Sequence, residues 1–169
     1  MPTRLQVLIP IGIATVIVGI AGIMSMPSEK TLQQVDFPIG TIKIDETFIE
    51  VQIAKKEIEL KTGLMFQDTL PYDQGMLFVF DEPGVKTMWM KNMQFHLDMI
   101  WFDENGNVVE ITKNVPPCKT PLEVMSCMPE GNSAENVKYI LEVTSGFVDK
   151  FDIDTNSKLE IISSNVLGF

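Results

Sequence analysis

The stretch that decides the fold is Leu97-Asp98-Met99-Ile100-Trp101-Phe102, which precedes the pair Asn105-Gly106 and the run Val108-Val109-Glu110-Ile111. Two short apolar runs that flank a turn-forming pair are typical of a β-hairpin. An Asn-Gly pair favours a turn in which both central residues adopt positive φ. The sequence therefore predicts an antiparallel hairpin here.

Further strands are predicted on both sides of this hairpin, from alternating or continuous apolar character, at 48–54, 76–80, 138–143 and 158–162. Turn chemistry at Asp81–Gly84 separates the run 76–80 from a returning strand at 85–91. Short helices are predicted at 55–64 and at 145–151, the second capped by Ser145. The fold class is α+β, mostly β: a small barrel-like or twisted antiparallel or mixed sheet with two short helices.

An uncharged, mostly apolar segment occupies residues 5–28. Its run Val7–Met26 has about the 20 residues that a transmembrane helix needs. Arg4 precedes the segment and acidic sequence follows it, which places the N-terminus in the cytoplasm and residues 29–169 outside. The alternative is a cleaved signal peptide, although the run is long and lacks an A-x-A-like cleavage site. Both interpretations export the same domain, which would be secreted in the second case.

The predicted organisation is an N-terminal membrane anchor at 1–28, a linker at 29–45 and an exported β-rich domain at 46–169. The lipid bilayer is thus a partner through residues 5–28. The chain carries a formal net charge of −10. Because such a surface repels phosphate backbones, nucleic-acid binding is excluded from the expected functions.

The two cysteines, Cys118 and Cys127, lie in a proline-rich stretch at 114–136. Outside the cytoplasm such a pair is most simply a disulfide, which would stabilise the fold by roughly 2–3 kcal/mol. A metal or redox pair is the competing interpretation, but the spacing fits neither a zinc site nor a C-x-x-C motif.

Several short motifs agree in order with a known family: Gly63-Leu64-Met65, Gly75-Met76-Leu77-Phe78-Val79-Phe80, Trp89-Met90-Lys91-Asn92, Leu97-Asp98-Met99-Ile100 and Pro117-Cys118. In these motifs residues 48–162 resemble the uncharacterised prokaryotic family known as domain of unknown function 192. The chain departs from the family pattern at Met93, where Thr is common, and at Phe95-His96, where Ile-Pro is common. The resemblance implies a small, β-rich, exported or membrane-anchored protein. It implies no reaction, cofactor or ligand.

Three groups of side chains are candidates for chemistry. His96 and Asp98 would share one strand face, which suggests a hydrolase or a metal-dependent enzyme, although no nucleophile elbow is present. Asp98 has a structural alternative, because a carboxylate at a strand start can accept backbone N–H bonds from a neighbouring turn.

Thioether and imidazole groups cluster at Met88, Met90, Met93 and His96, and such ligands suit Cu(I) outside the cytoplasm. The structural alternative is that methionine fills the core. No cofactor is predicted.

The third candidate is a ligand-binding region at Trp89, Lys91 and Asn92. Alternation would place Trp89 and Lys91 on one face and the methionines on the buried face. An exposed aromatic ring beside polar groups is a common element of saccharide and small-ligand sites. Alternatively, Trp89 packs under the 114–136 loop and Asn92 bonds to backbone. The sequence thus favours a non-enzymatic envelope module that binds a small ligand, a glycan or a protein.

Overall fold

The computed structural model describes residues 35–118 and 133–164, which belong to one compact unit, Val35–Phe169. The predicted membrane segment and Cys127 lie outside these ranges, so the anchor and the disulfide stay predictions. Within the described ranges, every helix is too short or too polar to cross a bilayer.

Strands dominate the described residues, and two short helices accompany them. In chain order the elements are β1 (Ile39–Ile44), β2 (Thr47–Ala54), α1 (Glu57–Thr62), β3 (Gln74–Thr87), β4 (Leu97–Phe102), β5 (Val108–Val115), β6 (Ser133–Thr144), α2 (Phe147–Lys150) and β7 (Leu159–Ser164). This composition confirms the predicted α+β, mostly β class. β1 lies within the segment that the sequence analysis assigned to the linker.

The strands form one mixed sheet in the order β5-β4-β6-β3-β2-β1-β7. All neighbouring pairs are antiparallel except β2 and β3. Parallel neighbouring strands need a crossover connection and cannot be joined by a tight turn. The segment that contains α1 forms this crossover from β2 to β3. At the sheet edges, Asn107 bridges Lys158, and the Leu159 N–H donates to the Gly106 carbonyl at 2.8 Å. The sheet therefore curls until its two edges touch.

The predicted hairpin forms β4 and β5, but its turn differs from the expected one. Of the Asn-Gly pair only Gly106 has a positive φ, 80°. The Gly106 N–H donates to the Asp103 carbonyl, and the Asp103 carboxylate accepts hydrogen bonds from the Asn105 and Asn107 N–H groups. This geometry is that of a longer loop, in which a turn is followed by one left-handed residue. The Asp103 side chain supplies the hydrogen bonds that stabilise it.

The predicted turn at Asp81–Gly84 is wrong, because β3 continues through it to Thr87. Val79 pairs with Tyr139 and Gly84 with Val137, so four β3 residues face a single residue of β6. β2 pairs with β3 only as far as Phe78. Pro83 is therefore tolerated inside a bulge, where its missing N–H breaks no ladder hydrogen bond.

Apolar side chains pack on both faces of the sheet. The first cluster contains Ile100 and Phe102 of β4, Leu141 and Val143 of β6, and Phe147 of α2. The second cluster contains residues that alternate with these, together with side chains from outside the strands: Met76, Phe78, Met99, Trp101, Ile140, Leu64, Met88, Met90 and Met93. β4 and β6 are thus buried on both sides where they pair.

We predict that Gly106→Ala destabilises the domain, whereas Gly84→Ala does not. A Cβ at Gly106 would lie 2.3 Å from the Leu159 carbonyl oxygen, at a φ that L residues rarely adopt. The backbone conformation alone would cost about 1–3 kcal/mol. A Cβ at Gly84 meets nothing closer than the flexible Lys86 amine at 3.7 Å. Urea unfolding of both variants measures the difference, and equal midpoints would contradict the proposed closure of the sheet.

Candidate functional site

A cavity of about 360 Å³ lies between α1, the turn that follows it, the second half of β3 and the segment 88–93. We call it the α1–β3 cavity. It opens where β3 has passed the end of its pairing with β2, beyond Phe78. Its walls are mostly apolar: Leu60, Leu64, Met65, Phe78, Phe80, Val85, Met88, Trp89 and Met93. A concave, apolar site with few polar groups is the usual form of a small-molecule site.

Local hydrogen bonds fix the α1 wall of the cavity. The buried Glu59 carboxylate accepts hydrogen bonds from the Lys55 and Lys56 N–H groups, both at 3.0 Å, and so fixes the start of α1. Gly63 ends α1 with a φ of 50°, and a Cβ there would come within 3.1 Å of the Phe78 ring. Glycine at this position therefore lets the turn approach the sheet closely.

The floor of the cavity contains a carboxyl group, that of Glu142 in β6. Glu142 is 3% exposed and pairs with Met76 on one side and Met99 on the other. No hydrogen bond joins the Glu142 side chain to another of the described residues. Among these residues the fully buried side-chain atom without a partner is Trp101 Nε1, so the Glu142 carboxyl is not sealed in the core but faces the cavity. Burial raises the pKa of the Glu142 carboxyl to about 8, so the group is largely protonated at neutral pH.

Glu142 was missed by the sequence analysis, although its strand was predicted. Alternation assigns Leu141 and Val143 to one face and Ile140 and Glu142 to the other. A half-exposed strand would place a glutamate in water. The burial of Glu142 follows only from the position of β6 between β3 and β4, where both faces of the β6 strand are covered.

The mouth of the cavity combines exposed aromatic and charged side chains. Trp89 is 45% exposed, and Lys91 is exposed beside it. Lys61 forms an ion pair with Glu57, with Nζ and Oε1 2.5 Å apart, and the Lys86 amine lies 4.7 Å from the centre of the Phe80 ring. The structure thus brings two of the three predicted ligand-binding residues, Trp89 and Lys91, to one opening.

Asn92, the third predicted residue, does not line the cavity but connects two of its walls. Its φ is 58°, and its carbonyl accepts a hydrogen bond from the Phe66 N–H at 3.1 Å. Its side-chain amide lies 3.9 Å from the Met65 sulfur. The same segment is held from the other side, because the Cys118 N–H donates to the Met90 carbonyl. Asn92 therefore positions the segment that carries Trp89 and Lys91.

The methionine and histidine cluster is divided by the fold. Met88 and Met93 line the α1–β3 cavity, whereas Met90 is fully buried and His96 is exposed, both outside the lining. No group of three or more His, Cys, Asp or Glu residues could hold a metal ion in the part of the chain that the structure describes. The copper hypothesis stays a prediction.

His96 and Asp98 contact different atoms of the same residue, Asn114. The buried Asp98 carboxylate accepts three backbone hydrogen bonds, from Asn114 at 2.8 Å, Gly146 at 3.0 Å and Val148 at 3.1 Å. His96 Nδ1 instead lies 2.9 Å from Asn114 Oδ1. The prediction that Ser145 caps α2 is wrong. The Ser145 hydroxyl donates to Asn114 Oδ1, and the Asp98 carboxylate accepts the N–H groups at the start of the helix.

Comparisons with known proteins identify relatives but no activity. The model of the DUF192 family, described as uncharacterized ACR, matches residues 40–161. A crystal structure named as that of a "putative transcription regulator" from Sinorhizobium meliloti 1021 is similar, with a TM-score of 0.64 and 25% identity, over 76% of this chain and 97% of that one. A protein of unknown function from Novosphingobium aromaticivorans DSM 12444 has a TM-score of 0.61 and 23% identity, over 72% of this chain and 84% of that one. None of the curated proteins matches significantly.

Asp98→Asn should destabilise the domain much more than His96→Ala does. The amide of the variant would turn an NH₂ group toward at least one buried backbone N–H, at a cost of about 1–3 kcal/mol. His96 is exposed, so its removal should change stability by less than about 0.5 kcal/mol. Urea unfolding compares the two, and a larger effect of His96→Ala would overturn the structural role of Asp98.

The stability of the wild type should fall relative to Glu142→Gln as the pH rises from about 5 to about 8. The unfolded carboxyl loses its proton near pH 4.3, whereas the folded one keeps it up to a pKa of about 8. The native state of the wild type binds one proton more than its unfolded state in this window. The difference in unfolding free energy between the wild type and Glu142→Gln should therefore change by about 1.4 kcal/mol per pH unit and level off above the window. Unfolding free energies measured from pH 4 to 9 test this, and parallel curves would exclude a buried titrating Glu142.

Proposed function

We propose that this chain, which belongs to the DUF192 family of uncharacterised proteins, is a small-ligand-binding domain. The single observation that supports the proposal is the α1–β3 cavity, in which Trp89 and Lys91 stand at the mouth and apolar side chains form the walls. Its volume of about 360 Å³ lies within the range that small-molecule sites occupy, roughly 300–1,000 Å³. A small molecule fits this concave site better than a glycan chain or a protein surface would.

Binding rather than catalysis is the activity that we assign. Both oxygens of Asp98 accept backbone hydrogen bonds, and the described ring contact of His96 is with Asn114. An acid–base pair needs a hydrogen bond between its members to orient the base. The arrangement of these two residues therefore favours a structural role, and the binding proposal does not depend on them.

The compartment is also part of the proposal. The apolar segment 5–28 would hold the domain on the outer side of the cell membrane, or direct its secretion if the segment is removed. The name of the Sinorhizobium meliloti relative, a putative transcription regulator, does not imply that this chain binds nucleic acid. The net charge of −10 would repel a phosphate backbone.

The unit Val35–Phe169 is a suitable protein for binding measurements. It contains both apolar clusters and every strand of the sheet. The matching part makes up 97% of the crystallised Sinorhizobium meliloti chain, so that relative consists of little more than this domain.

Trp89→Ala should weaken binding of the amphipathic anion 8-anilinonaphthalene-1-sulfonate about tenfold, because the variant loses an aromatic wall worth about 1.4 kcal/mol. Phe48→Ala is the matched control, since Phe48 is an exposed aromatic residue of β2 that does not line the cavity. Isothermal titration calorimetry of the unit Val35–Phe169 gives the affinities. Equal losses in both variants, or no saturable binding at all, would refute the proposal.

A further inference from the structure

Burial of the Glu142 carboxyl group costs free energy of folding, and a purely structural role would not require a carboxyl at this position. Its neighbours across the sheet are Met76 and Met99, and the buried side chains of Leu64, Phe78 and Met93 line the same cavity. An apolar side chain of similar length would fill this position without a desolvated polar group. The Glu142 carboxyl has no hydrogen bond to the described residues and faces the cavity, where a bound molecule would supply a partner.

The protonation state of Glu142 limits what could contact it. A protonated carboxyl both donates and accepts a hydrogen bond, so it matches a hydroxyl, a carbonyl or an amide. A cationic group would favour the ionised carboxylate, but it would have to pass Lys61, Lys86 and Lys91. A neutral hydrogen-bonding group is therefore the better match for the floor of the cavity.

The charges at the mouth differ from those of the whole chain. The chain is acidic, with a net charge of −10, yet the lining of this cavity contains three lysines and two glutamates, of which Glu142 is the buried one. Glu57 is already paired with Lys61. Across the described ranges no acidic side chain forms an ion pair with Lys91. The opening thus presents an available cation next to Trp89, which favours an anionic group.

We infer that the ligand is a small amphipathic molecule with two polar ends, a neutral hydrogen-bonding group that contacts Glu142 and an anionic group that lies beside Lys91. An apolar middle part would pack against Leu64, Phe78 and Met93 between the two ends. This inference rests on the proposed function, since it specifies the ligand class of the same cavity.

Pairs of ligands that differ at one end test the inference. The probes are ω-hydroxy carboxylates of six, eight and ten carbons, the corresponding plain carboxylates, and the corresponding ω-amino alcohols as cationic counterparts. Calorimetry at pH 7 with the unit Val35–Phe169 gives the dissociation constants. At the length that fits best, the ω-hydroxyl should tighten binding to the wild type about fivefold, the gain from one additional hydrogen bond.

Variants of the floor residue separate the hydrogen bond from the shape of the cavity. Glu142→Met keeps the length of the side chain and removes its hydrogen-bonding group, so the ω-hydroxyl should now weaken binding. Glu142→Gln keeps a donor and an acceptor and should preserve the advantage of the ω-hydroxyl. Plain carboxylates should bind the wild type and Glu142→Met with similar affinity.

Variants of the mouth test the anionic end. Lys91→Met should weaken both kinds of carboxylate about equally, by about threefold to tenfold, and reduce the dependence of binding on salt. Lys158→Met is the matched control, because Lys158 is exposed and lies outside the cavity lining. Its affinities should equal those of the wild type.

The outcomes distinguish this inference from the proposed function. If the plain and hydroxylated carboxylates bind with a ratio that Glu142→Met does not change, the inference is wrong while the cavity remains a binding site. Tightest binding of the amino alcohols would also overturn the inference, because it would show that a cation is preferred. If neither these probes nor the naphthalene sulfonate bind, both proposals are wrong.

Discussion

The burial of both faces of the central strands is the constraint on which the rest of the structure depends. β6 lies between β4 and β3, and one apolar cluster covers each side of the sheet there. Every side chain of β4, from Leu97 to Phe102, is buried as a result. A polar group on these strands cannot reach water by pointing to the other face. It must find a partner within the protein or remain without one.

Two carboxyl groups on these strands meet this constraint in opposite ways. Asp98 on β4 receives three backbone N–H groups, so it joins the end of β5 to the start of α2. Glu142 on β6 receives no such hydrogen bond from the described residues and opens instead on a cavity. The first carboxyl is satisfied by the fold. The second is available to a molecule that enters from outside, and this contrast is the reason for placing the site at Glu142.

Local sequence patterns predicted the elements whose signals are local. The β4–β5 hairpin, the segments of β2 and β6, and the two short helices follow from alternation and turn residues. The continuation of β3 through Asp81–Gly84 could not be predicted in this way, because the bulge depends on pairing with β6 about 50 residues later. The capping of α2 by Asp98 could not be predicted from local sequence either, because Asp98 and Gly146 are 48 residues apart in the chain. For the site, the sequence singled out Trp89 and Lys91 but not Glu142, whose burial depends on the order of the strands.

The contact between the two sheet edges also affects how copies of the protein meet. A free strand edge is a template on which another chain can add a strand and begin an aggregate. Here the Asn107–Lys158 bridge occupies part of both edges, and the outer strands carry the exposed charges of Glu110, Lys113 and Glu160. A domain built in this way leaves less free strand edge on which a neighbouring copy could add a strand.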